Sequence, residues 1–140
     1  MNNIHATMVS IFNKGILLIG KSGSGKSDLA LRMILEKGAK LVADDRVILT
    51  TENGELYGES PENISGKLEV RGIGISDFEF IKKSKIDLCI ELCSSRDEVE
   101  RMPIDENITF LGISITKIKI YPFDCSTLCK IIVKICSIIS

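Results

Sequence analysis

The run from Gly20 to Ser27, "GKSGSGKS", fits G-x-x-x-x-G-K-[ST] without a mismatch, the pattern of a loop that cradles nucleotide phosphates. Gly20, Gly23 and Gly25 let the backbone turn tightly and aim its N–H groups at an anion, and a helix beginning near Lys26 adds its positive end. Lys21, Ser22 and Ser24 complete the loop. Lys26 is placed to reach the outer phosphates, and the Ser27 hydroxyl to meet Mg²⁺. Asp44 and Asp45 follow by geometry. A strand, helix and strand this short make a right-handed βαβ unit, which brings the end of "KLVA" close to the end of "GILLI". Beside Mg²⁺ one carboxylate can hold the ion, directly or through water. The other can accept a proton from an attacking hydroxyl. Which aspartate does which is left open by the sequence. In "KLEVRGIGI" Glu69 and Arg71 alternate with Leu68 and Val70, so both project from one strand face, and Gly72 and Gly74 are read as admitting another backbone. His5 is the chain's one histidine. If Ala6 to Phe12 pairs antiparallel with Ile16 to Ile19, the strand register sets His5 beside Gly20 and Lys21. An imidazole there can hold phosphate or an acceptor oxygen and change its charge near neutral pH.

The elements that position these residues are short. "ATMVSIF" and "GILLIG" read as strands joined through Asn13, Lys14 and Gly15. A helix follows from Lys26 to about Lys37, with Leu29, Met33 and Ile34 on one stripe and Gly38 as its C-cap. "KLVADD" is a strand, and "RVILTTENGELYG" a hairpin turning at Asn53-Gly54. "KIDLCIEL" is another strand, and "FLGISITKIKIYP" one alternating run stopped by Pro122. Leu128, Ile131, Ile132, Ile135, Ile138 and Ile139 recur at helical spacing, with Lys130 and Lys134 facing away, and predict an amphipathic closing helix despite their β-branching.

With 140 residues the chain suffices for one core and not for two. Its 18 basic and 19 acidic residues are interspersed, which leaves no electrostatic footprint for nucleic acid. No apolar run approaches the roughly 18 residues that span a bilayer, and the first residues lack a signal-peptide pattern, so no membrane partner and a cytoplasmic location are expected. An odd count of five cysteines argues against a disulfide framework. Cys89 and Cys93 repeat the spacing of Cys125 and Cys129, but zinc knuckles favour turn-rich C-x-x-C loops, and "KIDLCIELC" is apolar. The cysteines are therefore read as buried, reduced thiols.

"GKSGSGKS", "LVADDRV" and "LEVRGIGI", in that order and at these spacings, resemble the catalytic domain of the HPr kinase/phosphorylase family, bifunctional bacterial enzymes that phosphorylate a serine of the phosphocarrier HPr. The likeness is strong over about residues 5–75, and "ERMP" and "ITKIKIYP" extend it. It implies an α/β fold, a P-loop-containing HPr kinase-like catalytic domain with a mixed β-sheet and flanking helices, occupying 1–140 as a single domain. It implies ATP on Gly20 to Ser27, Mg²⁺ at Ser27 and Glu69, and Asp44 or Asp45 as base in the kinase direction and acid in the reverse. It also implies a catalytic role for His5, since family members carry a histidine fifteen residues before the first loop glycine. The expected partner is an HPr-like phosphocarrier of the phosphotransferase system. Full-length relatives assemble as hexamers, and here Met8, Val9 and the closing helix are candidates for apolar contact. The chain departs from the family in three places. His5-Ala6 stands where His-Gly is common, and "YPFDCS" lacks the arginine carried there by full-length members, leaving Arg101 of "ERMP" as the candidate catalytic arginine. The length leaves no room for the N-terminal domain, as in short members of the family. Two other functions remain open from sequence: a small-metabolite kinase of the phosphate-loop class, which needs a lid and a substrate insertion, and a nucleotide-binding regulatory module without transfer.

Overall fold

The computed structural model describes residues 2–138. After an entry strand, β1 (Asn2–Ile4), come two runs apolar on successive residues and so buried on both faces: β2 (Thr7–Ile11) and β3 (Lys14–Ile19). They pair antiparallel, Ile11 opposite Lys14. Phe12 and Asn13 make the turn, both at positive φ (51° and 61°), as the strand twist demands of a two-residue connection. The turn expected at Asn13 to Gly15 is displaced because Lys14 and Gly15 already belong to the ladder. Helix α1 (Lys26–Lys37) ends at Gly38, whose left-handed φ of 72° lets its N–H reach the Ile34 carbonyl. Strand β4 (Lys40–Ala43) leads to the hairpin of β5 (Val47–Glu52) and β6 (Glu55–Glu59), which turns at Asn53-Gly54 as read from sequence.

Strands β7 (Lys67–Val70) and β8 (Gly74–Asp77) form a two-stranded ribbon. Arg71 therefore lies in its turn, not in the strand. A Cβ on Gly72 or Gly74 would meet no atom within 4 Å, so these glycines serve a tight turn rather than a close backbone approach. Short β9 (Lys83–Lys85) and β10 (Leu88–Leu92) follow. The single strand expected over "FLGISITKIKIYP" is instead the hairpin of β11 (Glu106–Phe110) and β12 (Ile113–Ile120), broken by positive φ at Leu111 and Gly112. Helix α2 (Thr127–Ile138) closes the chain with Leu128, Ile131 and Ile135 buried. That burial outweighs the weak helix propensity of its β-branched residues. Ile139 lies outside the described residues.

The main sheet has the order β11-β12-β10-β3-β2-β4. β10 is parallel to β3 and to β12, and β4 is antiparallel to β2, so β3, β4, β10 and β12 end at one edge. The sheet is mixed, as expected, but both helices pack on the same face, where Leu29, Met33, Ile131 and Ile135 meet Ile16, Leu18, Leu88 and Ile90. An antiparallel sheet, β1-β5-β6-β9, covers the other face through Leu17, Val42, Leu49, Leu56 and Cys89. Met8 and Val9 are wholly buried within these cores and offer no contact area to another chain. Cys89 and Cys93 are buried as read, and burial pushes the Cys89 thiol up to about 12. Cys125, Cys129 and Cys136 are exposed, contrary to expectation: Cys125 lies in the turn before α2, and Cys129 and Cys136 lie off the stripe that the helix buries.

The two sheets meet where glycine permits. A Cβ on Gly15 would lie 1.8 Å from the Lys85 carbonyl oxygen, while the Gly15 backbone exchanges hydrogen bonds with Asp87, its N–H donating to Oδ2 at 2.9 Å and its carbonyl accepting from the Asp87 N–H at 2.8 Å. Gly15→Ala must push the second sheet away. It is expected to destabilise the fold by about 3 kcal/mol or more, measured as a fall in the urea midpoint. A midpoint equal to that of the parent would show that the two sheets can separate here at no cost.

Candidate active site

The phosphate loop occupies the gap between β3 and α1. Gly23 and Gly25 hold left-handed φ values of 80° and 103°, and Gly25 caps α1 with no side chain of its own. The first-turn N–H groups of α1 are thereby left for a ligand, at the positive end of the helix. Lys26 is only 7% exposed. Its Nζ donates to the carbonyls of Gly20 at 3.0 Å and Lys21 at 3.1 Å. Desolvation by burial lowers its pKa, opposed by the charges of Asp45 and Asp44.

The aspartates that sequence left equivalent have separate surroundings. Strand β4 runs parallel to β3 with β2 between them, so residues 44 and 45 emerge beside the loop as expected. Asp44 Oδ1 accepts from Ser27 Oγ at 2.7 Å and from Thr7 Oγ1 at 3.0 Å. Its Oδ2 faces the Glu69 N–H at 3.4 Å. Asp45 adopts a left-handed backbone, φ 69°, which turns its side chain outward to 70% exposure. There its Oδ1 lies 2.8 Å from His5 Nε2. His5 is in place because Thr7 pairs with Leu18, so that the residues preceding β2 run alongside Ile19 and Gly20.

Together these residues border a cleft of about 870 Å³, whose far wall is the β7–β8 ribbon with Lys67, Glu69 and Arg71. The structure thus gathers His5, Ser22, Gly23, Gly25, Lys26, Ser27, Asp44, Asp45 and Glu69. Gly20, Lys21 and Ser24 shape the loop without lining the cleft. Arg101 is not brought in. It is exposed in a bend of the segment between β10 and β11, and the arginine that does face the cleft is Arg71, carried there by the ribbon's turn. Several lining residues carry no signal of their own in the sequence, Thr7 and Phe123 among them. Thr7 was read as part of an apolar strand, although it lies two residues from His5 and so on the same side of an extended chain. Phe123 was noticed only as part of a segment lacking an arginine.

Comparison with known proteins follows the same lines. Residues 1–137 match the family model described as the HPr Serine kinase C-terminal domain. Relatives named HPr kinase/phosphorylase include those of Clostridium kluyveri, 35% identical over 127 residues (84% of this chain, 41% of the relative), and Clostridium tetani, 38% over 125 (82% and 41%). That of Caldicellulosiruptor bescii is 40% identical over 122 residues (79% and 39%). The chain thus spans well under half the length of these relatives. Among solved structures, the Hpr(Ser) kinase/phosphatase from Coxiella burnetii superposes with a TM-score of 0.82 at 28% identity, covering 98% of this chain and 97% of that one.

The buried Thr7 hydroxyl has one partner, the Asp44 carboxylate. Thr7→Val keeps the side-chain shape and removes that donor. We expect a loss of about 1.5–3 kcal/mol in chemical denaturation, the range for hydrogen bonds to charged groups, with most of it restored in Thr7→Ser. Equal stability of the valine variant would show that Asp44 does not depend on Thr7.

Proposed function

This chain belongs to the HPr serine kinase C-terminal domain family, and on that premise we propose that it is an ATP- and Mg²⁺-dependent protein kinase that phosphorylates a serine of an HPr-like phosphocarrier, with phosphate-driven reversal at the same site. The observation that supports this best is the division between the two carboxylates. Asp44 is bonded to the loop hydroxyl of Ser27 at 2.7 Å, while Asp45 faces the open cleft beside His5.

Phosphoryl transfer asks for positioning and charge stabilisation more than covalent chemistry. The loop N–H groups and the start of α1 bind the phosphate oxygens, and the Lys26 ammonium exchanges its loop carbonyls for the outer phosphates. Ser27, Asp44 and Glu69 supply only oxygen ligands, which suits a hard cation. Among the described residues no three His, Cys, Asp or Glu side chains converge on one metal. Bound there, Mg²⁺ supplies positive charge against the phosphates. Asp45 accepts the proton of the serine hydroxyl as its oxygen bonds to the γ-phosphorus and the bond from that phosphorus to ADP breaks, ADP leaving with the bonding electrons, and His5 fixes the orientation of that carboxylate. In reversal an oxygen of inorganic phosphate bonds to the phosphoserine phosphorus as the serine oxygen departs with a proton from Asp45, leaving pyrophosphate as the second product. Arg71 and Lys67 on the far wall take the cationic role that sequence assigned to Arg101. No helix among the described residues is long and apolar enough to cross a membrane. The same reading has residues 1–140 acting as one catalytic domain in the cytoplasm, assembling as a hexamer through surfaces other than Met8 and Val9.

Incubating the chain with ATP, Mg²⁺ and an HPr-like protein should yield phosphoserine on that protein. Lys26→Ala is expected to slow transfer by roughly 10²-fold or more. Asp45→Asn should slow it by about 10²–10⁴-fold, and His5→Ala by roughly tenfold, as befits a residue that orients the base. All three should melt close to the parent. Near-normal transfer by Lys26→Ala would remove the loop from the chemistry, and nucleotide binding without transfer to any phosphocarrier would leave a regulatory module instead.

A further inference from the structure

Phe123 lies in the turn between β12 and α2, at the mouth of the cleft. It is 55% exposed, and a lone exposed phenylalanine ordinarily needs no explanation. This one is held rigidly. A Cβ on Gly25 would sit 2.9 Å from its Cζ, so the ring edge rests on the loop residue that caps α1. Tyr121 packs against it edge to face, centroids 5.7 Å apart. Both chain neighbours are tied down: the Arg32 guanidinium of α1 donates to the Pro122 carbonyl, and Arg96 Nε donates to Asp124 Oδ1 at 2.7 Å. Arg96 in turn stacks on the Tyr121 ring at 4.7 Å. Ordering a side chain that remains half in water costs entropy without the full return of burial.

We propose that Phe123 is the platform on which the nucleobase stacks. The inference rests on the nucleotide reading of the loop made above. Phosphates seated at Gly23, Gly25 and Lys26 leave the ribose and base two directions in which to extend. Toward β4 and the β7–β8 ribbon the cleft carries His5, Asp44, Asp45, Glu69 and Arg71, the groups required by metal and acceptor. Against Gly25 itself lies Phe123, the only phenyl or phenol ring among the described residues that border the cleft. A half-exposed apolar face gains by covering itself with another flat ring, and stacking accepts any base because every base has a π-face. The ring offers no hydrogen-bonding edge. The ligand class is therefore a nucleoside polyphosphate held with little discrimination between bases, adenine and guanine included.

The test is to titrate MgADP, MgGDP and magnesium tripolyphosphate into the parent chain and into Phe123→Ala, Phe123→Leu and Phe123→Trp by calorimetry. Phe123→Ala and Phe123→Leu should weaken both nucleotides by about tenfold to a hundredfold while leaving tripolyphosphate unchanged. Phe123→Trp should restore nucleotide affinity. Because the chain has no tryptophan, its indole emission should respond to MgADP and not to tripolyphosphate. Equal weakening of nucleotide and tripolyphosphate would show that the ring merely props Gly25, and unaltered nucleotide affinity would place the base elsewhere; either result overturns the proposal. If the parent chain binds neither tripolyphosphate nor nucleotide, the phosphate-loop reading itself has failed, a result distinct from both, and the platform falls with it.

Discussion

Strand β2 lies between β3 and β4, and the site depends on that insertion. Neighbouring strands are ~4.8 Å apart, so the ends of β3 and β4 are separated by about 10 Å, too far for loop and carboxylate to meet by backbone alone. The gap is closed by side chains. Ser27 reaches across from the first turn of α1 and Thr7 from the start of β2, and both donate to one oxygen of Asp44. The same insertion carries His5 alongside the loop. Were β4 paired directly with β3, there would be no strand between them to present His5 and Thr7 at this edge.

This arrangement places costs at the cleft and offsets them in the core. An aspartate in the left-handed region is strained by about 1–2 kcal/mol, and Asp45 holds that conformation at φ 69°. Lys26 binds its proton less tightly folded than unfolded, because burial lowers its pKa from 10.5. Its contribution to stability is therefore at its lowest below the folded pKa, and rises with pH between the folded and unfolded values. On the function proposed above, a phosphate ligand would relieve this penalty by giving the ammonium an anionic partner. Stability is supplied elsewhere, by the two buried clusters on either face of the main sheet; in the one that joins the two sheets, the close approach requires Gly15 and Gly58.

What was legible in the sequence was local. The phosphate loop, α1 with its Gly38 cap and the Asn53-Gly54 turn are each specified within a few residues, by glycine where φ is positive or by a helical stripe. Where positive φ falls on residues that ordinarily avoid it, the reading slipped. Phe12 with Asn13 turns one hairpin and Leu111 with Gly112 another; in the first, burial of both flanking strands outweighs the local preference. Alternation carried Arg71 into a strand that ends at Val70, since a turn placing its first residue outward continues the same pattern. Asp44 and Asp45 could not be told apart because their difference resides in a single backbone torsion. The exposure of Cys125, Cys129 and Cys136, like the placement of Thr7, depends on which face each element turns inward, and only the assembled sheet decides that.

The two walls of the cleft differ in how firmly they are built. The phosphate wall belongs to the six-stranded sheet and rests on backbone N–H groups, whose positions are fixed by the core and indifferent to side-chain identity. The facing wall is a ribbon of two strands, a unit of marginal stability on its own. It is seated by Leu68, which is 1% exposed against the α1 face, and by the weak approach of the Glu69 N–H to Asp44. Its ion pair between Lys67 and Asp77 is exposed on both sides and adds little. A phosphate group is the same in every turnover and is served by rigid geometry, whereas a protein acceptor must enter, dock and leave. On the reading proposed above, the less constrained wall is the one that faces the acceptor. Among the described residues its polar tether to the rest of the fold runs through Asp44, so displacement of the ribbon acts on the same carboxylate that Ser27 and Thr7 hold in place.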